Sequence, residues 1–408
     1  MLVILNSIFK LVLLLGLVLL FLAYGPRLLN INPIPIRLNP CPAFEGPLAY
    51  NSRLEQHEKF LENRVVGPES ITYYKGDLYT GLADGRIIRI HGEDITTIAQ
   101  IGDPSCEGRW EEDVCGRPLG MRFDKHGFML VVDAYYGLFK IDIKTGQQIA
   151  LYSSKTLVDG KASTVLNDLD VAESGDVYFS DSGSWPLKMG IYGILEMTPR
   201  GRILHFNPAT NETTLLIGGI NFANGIQLTP DEKVLLISET GFHRILKYYL
   251  KGPKAGDLEV FAENLPGFPD NIRLNPRGGY WVGQCGTRIP GHVGLLDLLG
   301  DKPLVRKILA RGIYVAQTFL EYVERFFRAP VFIKELRYKL AHMQPYANQT
   351  LPHHGMIVEL DDSGSVVQSL HDTTGSIRFI SEILEYEGKL YLGSPWHNFV
   401  GRITYKDS

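Results

Sequence analysis

The chain lacks the signatures of several large functional classes. Its 41 Lys and Arg and 45 Asp and Glu are interspersed rather than blocked, giving a net charge of −4, with no basic stripe and no RNA-binding aromatic motif. Nucleic acid is therefore not an expected partner. Cysteine is scarce, at four residues, and no Cys/His group has zinc-finger spacing. No G-x-S-x-G elbow occurs, so a serine-hydrolase mechanism has no support. What is plentiful is glycine, at 42 residues, and tyrosine, at 20, which suits many short strands and turns in a chain of 408 residues.

Long apolar runs are confined to one place. Leu2 to Tyr24 is almost wholly apolar, interrupted by Asn6, Ser7 and Lys10 and closed by Gly25, Pro26 and Arg27. The uninterrupted part from Leu11 suits a signal-peptide core, while the whole stretch approaches the roughly 20 residues that span a bilayer. An uncleaved signal anchor or transmembrane helix over 1–25 is the reading adopted, because Ala23 and Gly25 make only a weak cleavage signal; a cleaved leader is the alternative. Pro26, Pro33, Pro35, Pro40 and Pro42 then predict an extended stalk within 26–61. Either route translocates the remainder. The sequons at Asn211 and Asn348 thereby become glycosylation acceptors. Cys106 and Cys115 bracket a short polar loop and are expected to pair; Cys41 and Cys285 are open to pairing together, staying free, or linking chains through Cys41.

From about residue 62 to the end the pattern repeats: short apolar strand, polar turn, alternating strand, then two more strands. Copies begin at Glu69, Pro118, Asn167, Asn224, Asp270 and Ser381, with spacings of 49, 49, 57, 46 and 111. Four strands of about five residues plus turns fill about 40 to 50 residues, so the pattern predicts an all-β, six-bladed β-propeller over 62–408. A β-sandwich would need fewer strands. The long last spacing holds an insertion in the fifth blade, about 293–354. There Val315, Phe319, Leu320, Val323, Phe326 and Phe327 recur at helical spacing among Glu321, Glu324, Arg325 and Arg328, and Pro330 breaks the run. Two helices are expected. They would form a cap laying its apolar stripe on the propeller, or, since aromatic and basic residues mix, a second membrane contact.

The first strand of each blade lines the central channel, so early positions of different blades converge. Those positions carry Glu69, Asn167, Asp168, Asn224, Asp270 and Asn271. One such residue alone reads as a solvated or capping group. Together they recur at one phase of several blades, where core-facing strands favour apolar residues, and buried like charges need a counter-ion. Carboxylates and amide carbonyls without thiolate or imidazole suit a hard divalent cation, and Ca²⁺ tolerates irregular geometry better than Mg²⁺.

GPES, the VCGRPLG segment from Val114 to Gly120, LND, ANGIQL, PGFPDNIR and GYWVG resemble the strictosidine synthase-like family, most closely its membrane-associated animal branch, over roughly 62–407. The resemblance implies single-pass type II topology, at the cell surface or in the endoplasmic reticulum, and a superfamily shared with serum paraoxonases, gluconolactonases and squid-type phosphotriesterases. It implies a Ca²⁺ site at Glu69, Asn167, Asn224, Asp270 and Asn271. The chain departs from relatives at two places. The paraoxonase catalytic histidines fall on Leu119 and near Ala134, and the strictosidine synthase glutamate on Ser381, one position before Glu382.

The expected function is hydrolysis of a small aryl ester or lactone at the metal, with Asp270 as base or nucleophile and Asp168 in support. The alternative is a non-catalytic membrane-tethered receptor or adhesion propeller with structural calcium and a protein partner. His353 and His354 sit beside the insertion, Arg117 beside the disulfide loop, and Trp185, Trp281 and Trp396 where packing is their expected role. Specificity would lie in loops such as Ser182 to Gly190.

Overall fold

A computed structural model describes residues 2–26, 28–327 and 330–405, with side chains described for 10–26, 28–326 and 330–405. Six antiparallel sheets of four strands form the larger of two compact units, which comprises 39–187, 199–292 and 350 onward. Five sheets run in simple sequence order from inner to outer strand. The sixth borrows its outer strand from the beginning of the chain, since Glu58–Phe60 pairs with Val400–Thr404 through Glu58 opposite Arg402. Each inner strand touches the next around the ring, and the last, Glu382–Tyr386, touches the first, Ile71–Tyr74. No sheet closes on itself; the ring closes between blades, which is the propeller arrangement.

Strand alternation builds this ring. In the second blade Met129 and Val131 join a core shared with the first blade, while Leu130 and Val132 join one shared with the third. Leu235 and Ile237 likewise face backward while Leu236 faces forward. Buried on both faces, these second strands read as continuous apolar runs rather than clean alternations. Six such cores lie one between each pair of neighbours. Each receives one inner-strand residue from the set Ile71, Met121, Leu169, Ile226, Ile272 and Ile383. Anchoring that residue directs the two preceding it toward the axis.

The smaller unit comprises residues up to 38, 188–198 and 293–349. Its N-terminal helix is Leu2–Tyr24. Among the described residues no helix is long and apolar enough to cross a membrane; the side chains before Lys10, part of the expected anchor, lie outside the described residues. The insertion forms Leu295–Leu299, Pro303–Phe327, Val331–Ala341 and Met343–Thr350, four helices where two were expected. Pro330 caps the third rather than merely breaking the run, as suits a residue without a backbone donor. The expected inward stripe is instead open: Val315, Phe319 and Phe326 are exposed, while Arg306 and Arg311 are buried. The side chain of Phe327, and Arg328, lie outside the described residues. The proline-rich segment is extended but not a solvated stalk throughout, since the Ile36 N–H donates to Gly300 O and Ile34 O accepts from Arg306.

Close approach of inner strands depends on Gly225, where a Cβ would lie 2.4 Å from Asn271 Cα and 2.5 Å from Asp270 O. Gly225→Ala is expected to lower stability by about 1–3 kcal/mol through overpacking, read as a reduced urea midpoint at unchanged m-value.

Candidate metal centre on the propeller axis

The inner strands do not pair uniformly. Their ladders lose register between Leu166 and Leu169, between Ala223 and Ile226, and between Pro269 and Ile272. The residues inside those irregularities are Asn167 and Asp168, Asn224 and Gly225, and Asp270 and Asn271. A bulge re-aims side chains that a regular ladder would alternate between faces. Counting back from each core anchor, the first axial position holds Glu69, Leu119, Asn167, Asn224, Asp270 and Ser381, and the second holds Ser70, Gly120, Asp168, Gly225, Asn271 and Glu382. The structure thus brings all five expected ligands to these axial positions, four at the first and Asn271 at the second, every one buried.

Their hydrogen bonds leave a consistent remainder. Asn271 Nδ2 donates to Glu69 Oε1 at 3.1 Å and to Glu382 Oε2 at 3.3 Å. The amide nitrogen is thereby committed, and Asn271 Oδ1 has no partner; Asn167 Oδ1, Asn224 Oδ1, Glu69 Oε2 and Glu382 Oε1 are in the same state. Five buried oxygens without donors are a substantial uncompensated desolvation. Among the described residues no three His, Cys, Asp or Glu form a metal cluster by themselves, so an ion here depends on the amide oxygens. The donor chemistry, carboxylate and carbonyl oxygen, fits a hard cation.

Directly adjoining this layer is a buried guanidinium. Arg273 donates from Nη1 to Asp168 Oδ2 at 2.7 Å and from Nη2 to Asp168 Oδ1 at 3.1 Å. It also donates to Glu382 Oε2 from Nη2 at 2.6 Å and from Nε at 2.9 Å. Asp168 accepts a further bond from the Ile226 N–H at 2.9 Å. Asp168, expected in support of Asp270, is therefore the counter-ion of Arg273. Neither Arg273 nor Glu382 is among the residues the sequence pattern assigns to the site. Glu382 shares the phase of Asp168, and Arg273 is a lone charge beside a core isoleucine; those are the available signals.

The electrostatics follow from burial and crowding. Burial, then the Asp270, Glu382 and Asp168 charges, holds the Glu69 carboxyl well above the usual range, with Arg117 opposing. Burial likewise raises Asp270 to about 7, against hydrogen bonds from Cys285 and Asn224 that favour its charged form. The Cys285 thiol is pushed up by burial and by Asp270. Four carboxylates share the axis with Arg273, an imbalance a divalent cation would relieve.

Other expected residues fall elsewhere. Cys106 and Cys115 form the disulfide, and Cys41 and Cys285 remain thiols. Arg117 braces neighbouring blades by donating to Gly67 O at 2.9 Å and to Pro395 O at 3.3 Å. His353 is exposed, while His354 is buried with Nε2 2.8 Å from His371 Nδ1. Trp281 is a core residue between the fifth and sixth blades. Asn211 lies exposed at a turn; Asn348 is half-buried within the helix Met343–Thr350.

The strictosidine synthase family matches residues 167–253, and the strictosidine synthase-like N-terminal family matches 46–90. Adipocyte plasma membrane-associated protein of Salmo salar is 37% identical over 382 residues, covering 93% of this chain and 84% of the relative. A gluconolactonase from Xanthomonas campestris superposes with a TM-score of 0.54 at 14% identity, covering 93% of this chain and 99% of its own. Regucalcin from Agrobacterium tumefaciens, a calcium-binding protein, gives 0.50 at 13% identity, covering 84% and 92%. At such identities the likeness is one of fold.

Two outcomes follow from the axial charges. Arg273→Leu leaves Glu382 buried without its cation and Asp168 with only the more distant Arg122 at 3.9 Å, and should cost about 3–5 kcal/mol of unfolding free energy, measured by urea titration. In cation-free protein the contribution of Asp270 is fully present below its unfolded pKa of roughly 4 and is lost as pH rises through about 7. A Ca²⁺ held here would compete with protons for these oxygens, so its stabilisation should grow with pH. Melting with Ca²⁺ or EGTA should show a larger Tm difference at about pH 8 than at about pH 5.5; an equal difference would contradict the assignment.

Proposed function

The chain belongs to the adipocyte plasma membrane-associated protein family of strictosidine synthase-like proteins, and from that premise we propose that it is a membrane-held, calcium-dependent hydrolase of aryl esters or lactones. The observation that carries this reading is the set of buried, unpartnered oxygens on Glu69, Asn167, Asn224, Asn271 and Glu382. Glu69, Asn167, Asn224, Asp270 and Asn271 would hold the ion. An amide-rich, irregular set suits Ca²⁺, which accepts six to eight oxygens in flexible geometry. When bound, such an ion polarises a substrate carbonyl and stabilises the developing oxyanion. The calcium-binding regucalcin and the gluconolactonase support the reading through their shared fold.

Asp270 is the proton-handling residue. Burial raises its pKa to about 7 in the cation-free protein, and a bound cation would favour its ionised form, the form a general base needs. Hydrogen bonds from Cys285 and Asn224 favour its charged form. Arg273 donates to both carboxylate oxygens of Asp168 and holds it stationary, so we assign Asp168 to positioning rather than to proton transfer. Leu119 and Ser381 interrupt the axial ring with side chains poorly suited to moving a proton. That favours, as second reading, a propeller whose calcium is structural.

The N-terminal helix Leu2–Tyr24 serves as signal anchor in this reading, with the propeller lumenal or extracellular; the apolar sequence from Leu2 to Tyr24 and the membrane association in the relatives' name support it. Asn211, exposed, is the better placed acceptor for glycan.

Full-length protein should hydrolyse aryl acetates or lactones with Ca²⁺ and lose turnover in EGTA. Asp270→Asn should reduce kcat/KM about 10²-fold or more, and Glu69→Gln should raise the Ca²⁺ needed for half-activity. Turnover that survives both substitutions sinks the hydrolytic mechanism. Calcium-dependent melting without turnover selects the structural reading.

A further inference from the structure

The polarity of the long helix Pro303–Phe327 is the reverse of a surface helix. A helix on a water-soluble unit turns its apolar stripe inward and its charges outward. Here Arg306 is fully buried, and its guanidinium donates to Leu195 O at 3.1 Å and Gly300 O at 2.9 Å. Arg311, also buried, donates to Leu22 O and Ala23 O, each at 3.1 Å, and to Leu29 O at 3.2 Å. Two arginines thus serve as internal donors for backbone carbonyls that no ladder satisfies.

The outward side carries Val305, Leu309, Val315, Phe319, Tyr322 and Phe326, all exposed, with Phe319 at 64%. Their spacings of three, four and six residues keep them on one stripe along the helix. Gly312 fills the gap between Leu309 and Val315, and a Cβ there would meet nothing within 4 Å. The neighbouring helix Val331–Ala341 adds exposed Phe332 and Leu336. Scattered exposed apolar residues are ordinary, but a continuous aromatic and aliphatic stripe of this length on a monomer marks an interaction surface.

What covers it is indicated by its neighbour. The N-terminal helix is exposed along its apolar length, from Leu11 at 66% to Phe21 at 53%, and its C-terminal carbonyls of Leu22 and Ala23 are those held by Arg311. The stripe is therefore fastened, by a buried guanidinium, to the end of the segment read as the membrane anchor. Exposed Arg325 and Lys339 flank the stripe and its neighbouring helix, each paired with a glutamate one turn earlier, Glu321 at 3.2 Å and Glu335 at 2.9 Å, so the flank is polar and of mixed charge, like a zwitterionic head-group layer.

We propose that the outward stripe of Pro303–Phe327 lies in the plane of the membrane, embedded at the level of the head groups and upper acyl chains, as a second contact beside the N-terminal helix. The proposal rests on the membrane part of the functional reading and is independent of the catalytic part. The contact fixes the smaller unit against the bilayer instead of leaving it to swing on a tether.

Liposome flotation of the full chain, followed by Phe319→Trp and Phe326→Trp in vesicles of mixed neutral and anionic lipid, tests it. Bromine is placed near the head or near the end of the acyl chains. The added tryptophan emission should be quenched about twofold or more by bromine near the head, and less by bromine near the chain end. Ile149→Trp, on an exposed outer strand of the propeller, should not respond. If the chain floats but neither added tryptophan is quenched, the proposal is overturned while the anchor stands. Cross-linking that finds the stripe covered by a second copy overturns it equally. If quenching is strongest from the chain end, the helix crosses instead of lying flat and the proposal is likewise wrong. If the chain does not float, the membrane reading and this inference fall together, leaving the metal centre unaffected.

Discussion

Four buried carboxylates on one axis would drive six inner strands apart, and the guanidinium of Arg273 is what first holds them together. It joins Asp168 of the third blade to Glu382 of the sixth from its own place in the fifth, so a single side chain ties three blades. Because Asp168 also accepts from the fourth-blade N–H of Ile226, the tie extends to a further inner strand. Such a buried pair costs much of what it gains in desolvation, and its larger consequence is that one arrangement of strands satisfies it. Beside it, the layer containing Glu69 and Asp270 still crowds carboxyl groups that burial and mutual repulsion push toward protonation unless a cation joins them. The candidate metal centre is therefore the second half of one electrostatic problem, of which Arg273 solves the first.

Much of the fold is legible in the sequence because a propeller writes its period into the chain. The six copies that begin near residues 69, 118, 167, 224, 270 and 381 are the six inner strands. The candidate metal ligands are legible for a related reason: polar residues at a phase where apolar ones belong have to be answered by something. Arg273 is harder to read. An arginine in a strand is usually exposed, and only the meeting of Asp168, Arg273 and Glu382, 105 and 109 residues apart, reveals a different environment. Glu382 is masked by its neighbour Ser381, which occupies the first axial position. Asp168 is legible as axial but not as engaged, since pairing depends on a partner that local pattern does not identify.

The insertion shows the opposite limit. Helical periodicity predicts that a stripe exists without predicting which way it faces. Pro303–Phe327 turns its stripe outward because the extended residues before and around Ile34 offer carbonyls that need donors, and Arg306 and Arg311 supply them from inside. A stretch rich in proline cannot satisfy its own backbone. Its presence beside the helix therefore decides the helix's orientation, a dependence that crosses more than 270 residues of chain.

The pairing of Glu58–Phe60 with Val400–Thr404 gives the ring a history as well as a shape. Glu58 meets Arg402 across 344 residues, so the first described strand of the propeller must wait for the last. During synthesis the early blades can pair internally, yet the outer strand of the sixth sheet has no sheet to join until that sheet's other three strands have been made. Contacts of such separation form slowly, and an unpaired edge in the interval invites wrong partners. Closure then joins the two ends of the propeller like a clasp, so loss of the final strand removes support from the first as well as from the sixth blade.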